Sequence, residues 1–411
     1  MRYQQKDTQH KFYGEREKME NILWSIGHDL KLKNITHAKG CFIYDTEGKS
    51  YLDMESGVWC TPLGHCHPKI HQALTHQMKN IMHTGYCYAH PIIQDAAKSV
   101  LEITGFPEGK CLFLTSGSEA VEVGVKTIKM LSSKPLLLTF SDSFLGSLGS
   151  SGTKPDSEWF QFDWSKCAVC PTKADCDTGC PHFSTIPFEN ISGFVFEPGS
   201  SSGMVRFPPE TLIIAIARRI QKDNGFIQIN EITTGMGRTG KWFGYMHYDI
   251  TPDIVSMGKG LGNGYPVSVI AFNKNILYKM EEKGFYHSQS HQNDPLGCVA
   301  ANAVIQTMKK EKALEKCISN SSYLMEKLMA LKQKFSAIKD IRGRGLMMAM
   351  EFSETISHDT VVFIYEKILE KGFIIAKRPK LKIFRIDPPL IIERKMMDDF
   401  VQAMDDILSE L

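Results

Sequence analysis

Lys259 is the residue best placed to do covalent chemistry. It directly follows the apolar run in DIVSM and stands between Gly258 and Gly260, with Gly262 and Gly264 beyond. A lysine at a strand end among small residues can approach a bound carbonyl, and its amine forms a Schiff base when its surroundings keep it deprotonated. The stretch FIQINEITTGMGRTG, residues 226–240, shows the same pattern of an apolar strand entering a Gly-rich turn. Open α/β sheets place ligands at such strand ends. Residues 111–131 read strand, turn, helix: CLFL, TSGSEA, VEVGVKTIKML. Small residues such as Gly117 and Ser118 at a helix start present free N–H groups and the positive dipole end to an anion. Ser116 with Glu119 also reads as a capping box, and both readings can hold together.

The spacing of these pieces resembles the class III (ω-type) aminotransferases, which use pyridoxal phosphate (PLP). The matching residues are Glu231-Ile232, Thr234-Gly235, Gly237-Arg238-Thr239-Gly240 and the segment from Lys259 to Pro266. The resemblance implies that Lys259 carries the cofactor and that Gly117 and Ser118 hold its phosphate. It also implies that Phe144 stacks on the ring and that Ile232 packs behind it. Thr233 falls where many relatives place a glutamine that reaches the cofactor hydroxyl. Ser290 matches the hydroxyl residue that serves the neighbouring subunit's phosphate. Arg385 matches the carboxylate-binding arginine, and a planar guanidinium suits a bidentate grip. Trp59, in SGVWC, is implied as a wall of the substrate pocket.

Three positions depart from the family pattern. Asn230 replaces the aspartate that pairs with the pyridine nitrogen; Glu231 is no substitute, because successive strand residues face opposite ways. Leu145 replaces the histidine after the stacking aromatic. Ser202 replaces the glutamate that gates the arginine in ornithine- and GABA-type members, which argues against such a substrate. Two alternatives therefore stand beside amino transfer. One is another PLP reaction (epimerase, aminomutase or decarboxylase); the other is a PLP-binding protein with impaired turnover, for which Asn230 and Leu145 speak.

Four cysteines, Cys167-x2-Cys170-x5-Cys176-x3-Cys180, lie in loop-like sequence. They could make a structural zinc site or hold an iron–sulfur cluster, or be a loop of free thiols. His65-Cys66-His67-Pro68 invites a metal reading too, though a turn leading into a helix from Pro68 is the simpler one.

The elements positioning these residues follow from periodicity. Residues 15–31 read as an N-terminal helix, and runs at 42–44 and 50–53 separated by Asp45-Thr46-Glu47-Gly48 read as a hairpin. Strands at 134–140 and 191–198, a helix at 211–222 and a long helix from Pro295 complete an alternating pattern over 56–305. From about residue 310 amphipathic helices and short strands form an α+β part. The resemblance implies PLP fold type I, an α/β fold with a mainly parallel sheet, and a homodimer sharing active sites. The boundaries expected are 1–55, 56–309 and 310–411, with the smaller domain built from both chain ends. At 411 residues the chain is long enough for two domains, and its net charge of +2 gives no argument for nucleic acid. The polar N-terminus is no secretory signal, no stretch is long enough to span a membrane, and the cysteines are too scattered for a secreted scaffold. A cytoplasmic protein is the expectation.

Overall fold

The computed structural model describes residues 21–411, apart from 27, 29, 86, 171–175, 177 and 178. Strands are numbered along the chain as β1 Ile35–Lys39, β2 Phe42–Asp45, β3 Ser50–Asp53, β4 Lys110–Leu114, β5 Leu136–Phe140, β6 Trp159–Phe162, β7 Ile191–Phe196, β8 Phe226–Asn230, β9 Ile254–Met257, β10 Ser268–Phe272, β11 Ile338–Arg344, β12 Met347–Phe352, β13 Phe373–Ile374, β14 Ala376–Arg378 and β15 Ile383–Ile386.

The central sheet has seven strands in the order β4-β10-β9-β8-β7-β5-β6. All run in one direction except β10, which is antiparallel to both β4 and β9. Strands β7 to β10 are buried along their whole length, as expected for a sheet covered on both faces. Alternate residues of β7 show the two layers. Phe194 and Phe196 join the core that includes Ile103, Ile216 and Val304, whereas Val195 joins the core with Val121 and Val125. The helix Gly117–Leu131 covers the second face. It approaches closely because Gly124 leaves room: a Cβ there would lie 2.4 Å from Gln228 Nε2, which donates to the Val121 carbonyl at 2.9 Å.

Two smaller four-stranded sheets flank this unit, in orders β1-β2-β3-β13 and β11-β12-β15-β14. The first joins distant parts of the chain, because β13 pairs in parallel with β3. The expected hairpin around 45–48 is present, with Phe42 opposite Leu52. The expected helix over 15–31 is corrected: residues 15–20 lie outside the described part, and the described residues of 21–31 form turns, bends and irregular backbone. Ile22, Leu23 and Ile26 are exposed there, so no buried apolar face would offset the cost of starting a helix.

Candidate active site

The sheet brings the ends of β4, β5, β7, β8 and β9 to one edge, and every strand end predicted to do chemistry is among them. Beyond β9, Lys259 sits at φ 42, in the left-handed region. Its Nζ donates to Thr233 Oγ1 at 3.1 Å and lies 4.7 Å from the centre of the Trp59 ring. Burial is the main cause holding the amine below the ordinary lysine pKa, against the opposing pull of Cys60 and Glu197. A depressed pKa leaves more of the amine uncharged and nucleophilic.

The turn after β4 is capped as expected. Ser116 Oγ accepts from Glu119 N at 3.2 Å, while Glu119 reaches back to Thr115 N at 3.2 Å. Gly117 matters sterically: a Cβ would come within 2.8–3.0 Å of the Ile232 side chain. Ile232 also packs near Gly258, so one side chain joins the turns after β4, β8 and β9. Ser118 Oγ accepts from Ser147 N at 3.0 Å, which ties the phosphate-type turn to the loop carrying Phe144.

Phe144 is 50% exposed, and its backbone is fixed from both sides. Its N–H donates to Glu197 Oε2 at 2.7 Å, and its carbonyl accepts from Asn230 Nδ2 at 3.0 Å. Asn230 Oδ1 accepts from Ile232 N at 3.1 Å. Glu231 faces elsewhere, taking Thr234 Oγ1, Gly244 N and Tyr245 N at 2.6, 2.9 and 2.7 Å. Burial pushes the Glu197 and Glu231 carboxyls up to about 7 each, although their hydrogen bonds pull the other way. Leu145 corrects an expectation. It is 1% exposed and belongs to the core with Ala120 and Val121, so it is a packing residue and no evidence of impaired turnover.

Trp59 joins Lys259 to Arg385, whose Cζ lies 3.6 Å from the Trp59 ring centre. Cation–aromatic contact of this kind favours a desolvated guanidinium. Residues Ser56, Gly57, Val58 and Trp59 have φ of 49, 53, 59 and 66, a left-handed turn. Such a run is costly for L-residues. Asp53 supports it by accepting from Glu55 N and Gly57 N, and Ser56 Oγ donates to Asp387 O at 2.6 Å. Arg238 of the TGMGRTG motif donates to Ser56 Oγ, Leu346 O and Pro388 O, so the motif staples the strand-end turns to the C-terminal part. Arg385 is fully buried. Its Nε donates to Asp387 Oδ2 at 3.2 Å, its Nη2 lies 3.9 Å from Glu55, and its Nη1 has no partner among the described residues. Glu55 also pairs with Lys31. That unpartnered Nη1 is an available donor for a further acceptor.

Glu55, Asp387 and Glu197 were missed from sequence. Asp387 had a signal, since it stands two residues after Arg385 and therefore on the same side of an extended chain. Ser290 is exposed, in the turn before the helix from Pro295; the segment is held to β4 by Asn293, whose side chain accepts from Phe113 N. Among the described residues the four cysteines Cys167, Cys170, Cys176 and Cys180 form no disulfide, and all four are half-buried. Among the described residues, the one set of three or more potential ligand atoms within 4.8 Å of one another is His83, His291 and Asp294. The four cysteines are not such a set, although Cys176, Cys180 and Cys170 lie near enough to Cys167 to add to the burial that raises its pKa. His65 and His67 are likewise taken, by Asp53 and Glu311.

The sequence pattern described as Aminotransferase class-III matches residues 25–408. The chain belongs to this family. Among similar proteins are the acetylornithine aminotransferases of Caldanaerobacter subterraneus subsp. tengcongensis, 30% identical over 392 residues (92% of this chain, 95% of that one), and of Methanocaldococcus jannaschii, 28% identical over 395 residues (92% and 94%). A leucine/methionine racemase of Thermococcus litoralis is 26% identical over 403 residues (91% and 90%). The fold matches that of an S-selective transaminase from Arthrobacter sp. with a TM-score of 0.86 at 22% identity, covering 95% of this chain and 96% of that one. Class-III aminotransferases use pyridoxal phosphate, and this class-III chain is an aminotransferase of fold type I. Among the described residues no helix is long and apolar enough to cross a membrane.

Proposed function

We propose that this site transfers an amino group from a carboxylate-bearing amine donor, an amino acid, to a keto acid, with pyridoxal phosphate held on Lys259. The observation that carries the reading is the pairing, across Trp59, of a desolvated lysine amine with a buried arginine whose Nη1 has no partner among the described residues. The residues fit the cofactor: the Gly117 cradle admits no Cβ, and Phe144 offers a half-exposed ring above the strand ends. Gly117 and Ser118 would hold the phosphate at the helix N-terminus, Phe144 and Ile232 would enclose the ring, and Asn230 would meet its nitrogen. When bound, the cofactor supplies an electron sink that makes the substrate Cα–H acidic.

Lys259 Nζ is the group that removes and returns the proton at the substrate Cα. Thr233 Oγ1, its hydrogen-bond partner, orients it. Arg385 holds the substrate carboxylate and Trp59 walls the pocket. In this reading 56–309 holds the cofactor, while 1–55 and 310–411 close the substrate side. Two copies share their sites, Ser290 serves the neighbouring copy's phosphate, and the setting is cytoplasmic. The cysteine loop has no part in it.

The test is incubation of the PLP-loaded protein with a panel of amino acids and simple amines, with and without pyruvate or 2-oxoglutarate. Product formation that depends on the keto acid is expected. Conversion of an amino acid to its isomer without any acceptor would replace amino transfer by epimerase or mutase chemistry.

A further inference from the structure

The Asn230 side chain is fixed by two backbone groups that leave no choice of orientation. The Ile232 N–H can only donate, so the amide oxygen must face it at 3.1 Å. The Phe144 carbonyl can only accept, so the amide nitrogen must face it at 3.0 Å. A flipped amide would set N–H against N–H and oxygen against oxygen. The side chain is 4% exposed, where two mismatched contacts would each leave a buried polar group unsatisfied. An amide nitrogen carries two hydrogens. One serves Phe144, and the second has no acceptor among the described residues.

We propose that Asn230 is locked as a hydrogen-bond donor and holds the ring nitrogen of the cofactor in its unprotonated form. The inference rests on the cofactor reading above. A protonated ring nitrogen is itself a donor and would meet the remaining N–H head-on, whereas an unprotonated one accepts it. The neighbouring acids do not reverse this. Glu231 is committed to Thr234, Gly244 and Tyr245, and Glu197 to Phe144 and Ser201. An adjacent carboxylate would favour the charged ring by about 1–3 pKa units, and this chain places a neutral amide there instead. Phe144 thereby has two roles, its ring as platform and its carbonyl as the selector of the Asn230 orientation.

The test is 15N NMR of the protein reconstituted with PLP labelled at the ring nitrogen. The resonance should lie in the unprotonated pyridine range and stay there across neutral pH. In Asn230→Asp it should move to the pyridinium range. A pyridinium resonance in the wild-type holoprotein overturns the proposal, and the wild-type spectrum decides this even if the variant fails to fold. Identical spectra for wild type and a folded, loaded Asn230→Asp overturn it as well. Failure of the wild-type chain to bind PLP overturns the cofactor reading and this proposal together, whereas a bound, protonated ring overturns this proposal alone.

Discussion

At the Arg385 side of the site a guanidinium is buried between two carboxylates and an indole face; at the Asn230 side a neutral amide is held by two backbone groups. The first side carries full charges in a dry environment and leaves Nη1 without a partner among the described residues. Buried charges persist only when paired, and a residual donor there favours an anionic guest. The second side carries no charge and spends three of its hydrogen-bonding possibilities on orientation and on one free N–H. The contrast teaches a division of labour. Charge is kept where a substrate must be caught and released, and a neutral, geometrically locked group is used where a resident cofactor must be held in one electronic form.

The contrast can be broken at either end, or at the lysine between them. Lys259→Ala should cause the largest loss. Removing the base alone costs roughly 10²–10⁴-fold in turnover, and the covalent attachment goes with it; retention of turnover within tenfold of wild type, about 1.4 kcal/mol, would contradict the assignment. Arg385→Ala should come next, raising KM for amino and keto acids far more than for simple amines, by about 2–5 kcal/mol of binding. Equal effects on acids and amines in steady-state kinetics would make Arg385 a structural residue. Arg385→Lys should recover only part, because a point charge cannot reproduce the planar fork.

Asn230→Asp sharpens the other end. Single-turnover half-reactions should speed up by roughly 10- to 10³-fold, with PLP affinity little changed. An unchanged or slower rate would mean that the site is tuned around the amide. Thr233→Val should have the smallest effect, costing about 0.5–1.5 kcal/mol through the lost partner of Lys259 Nζ. The Lys259 amine should still titrate below the ordinary lysine value in this variant, because burial, the main cause, is unchanged. A return to the ordinary value in a pH-dependent labelling experiment would show that the threonine, not burial, controls the amine.

Much of the strand-end chemistry was legible because each piece is local. A Gly-rich turn after an apolar run marks a strand end, and the family spacing then places Lys259, Gly117, Ile232 and Trp59 in one neighbourhood. What stayed illegible depends on non-local packing. Glu55 meets Arg385 through contacts between distant parts of the chain: β13 pairs with β3, and Asp387 N donates to Met54 O. The left-handed turn at 56–59 announces itself by Gly57 alone, and its other residues carry no such signal. Leu145 read as a damaged catalytic position because sequence does not tell which way a loop side chain faces; in the fold it fills core. The N-terminal pattern misled for the opposite reason, since a local alternation of charged and apolar residues does not say what it packs against, and Ile22, Leu23 and Ile26 are exposed. The cysteine spacing named possible ligands but could not say whether the loop draws the sulfurs together.

The most direct test of the account is borohydride reduction of the PLP-loaded protein followed by peptide mapping. The account predicts one covalent label, on the peptide containing Lys259. A label on any other lysine, or none on a protein that has bound the cofactor, would contradict it.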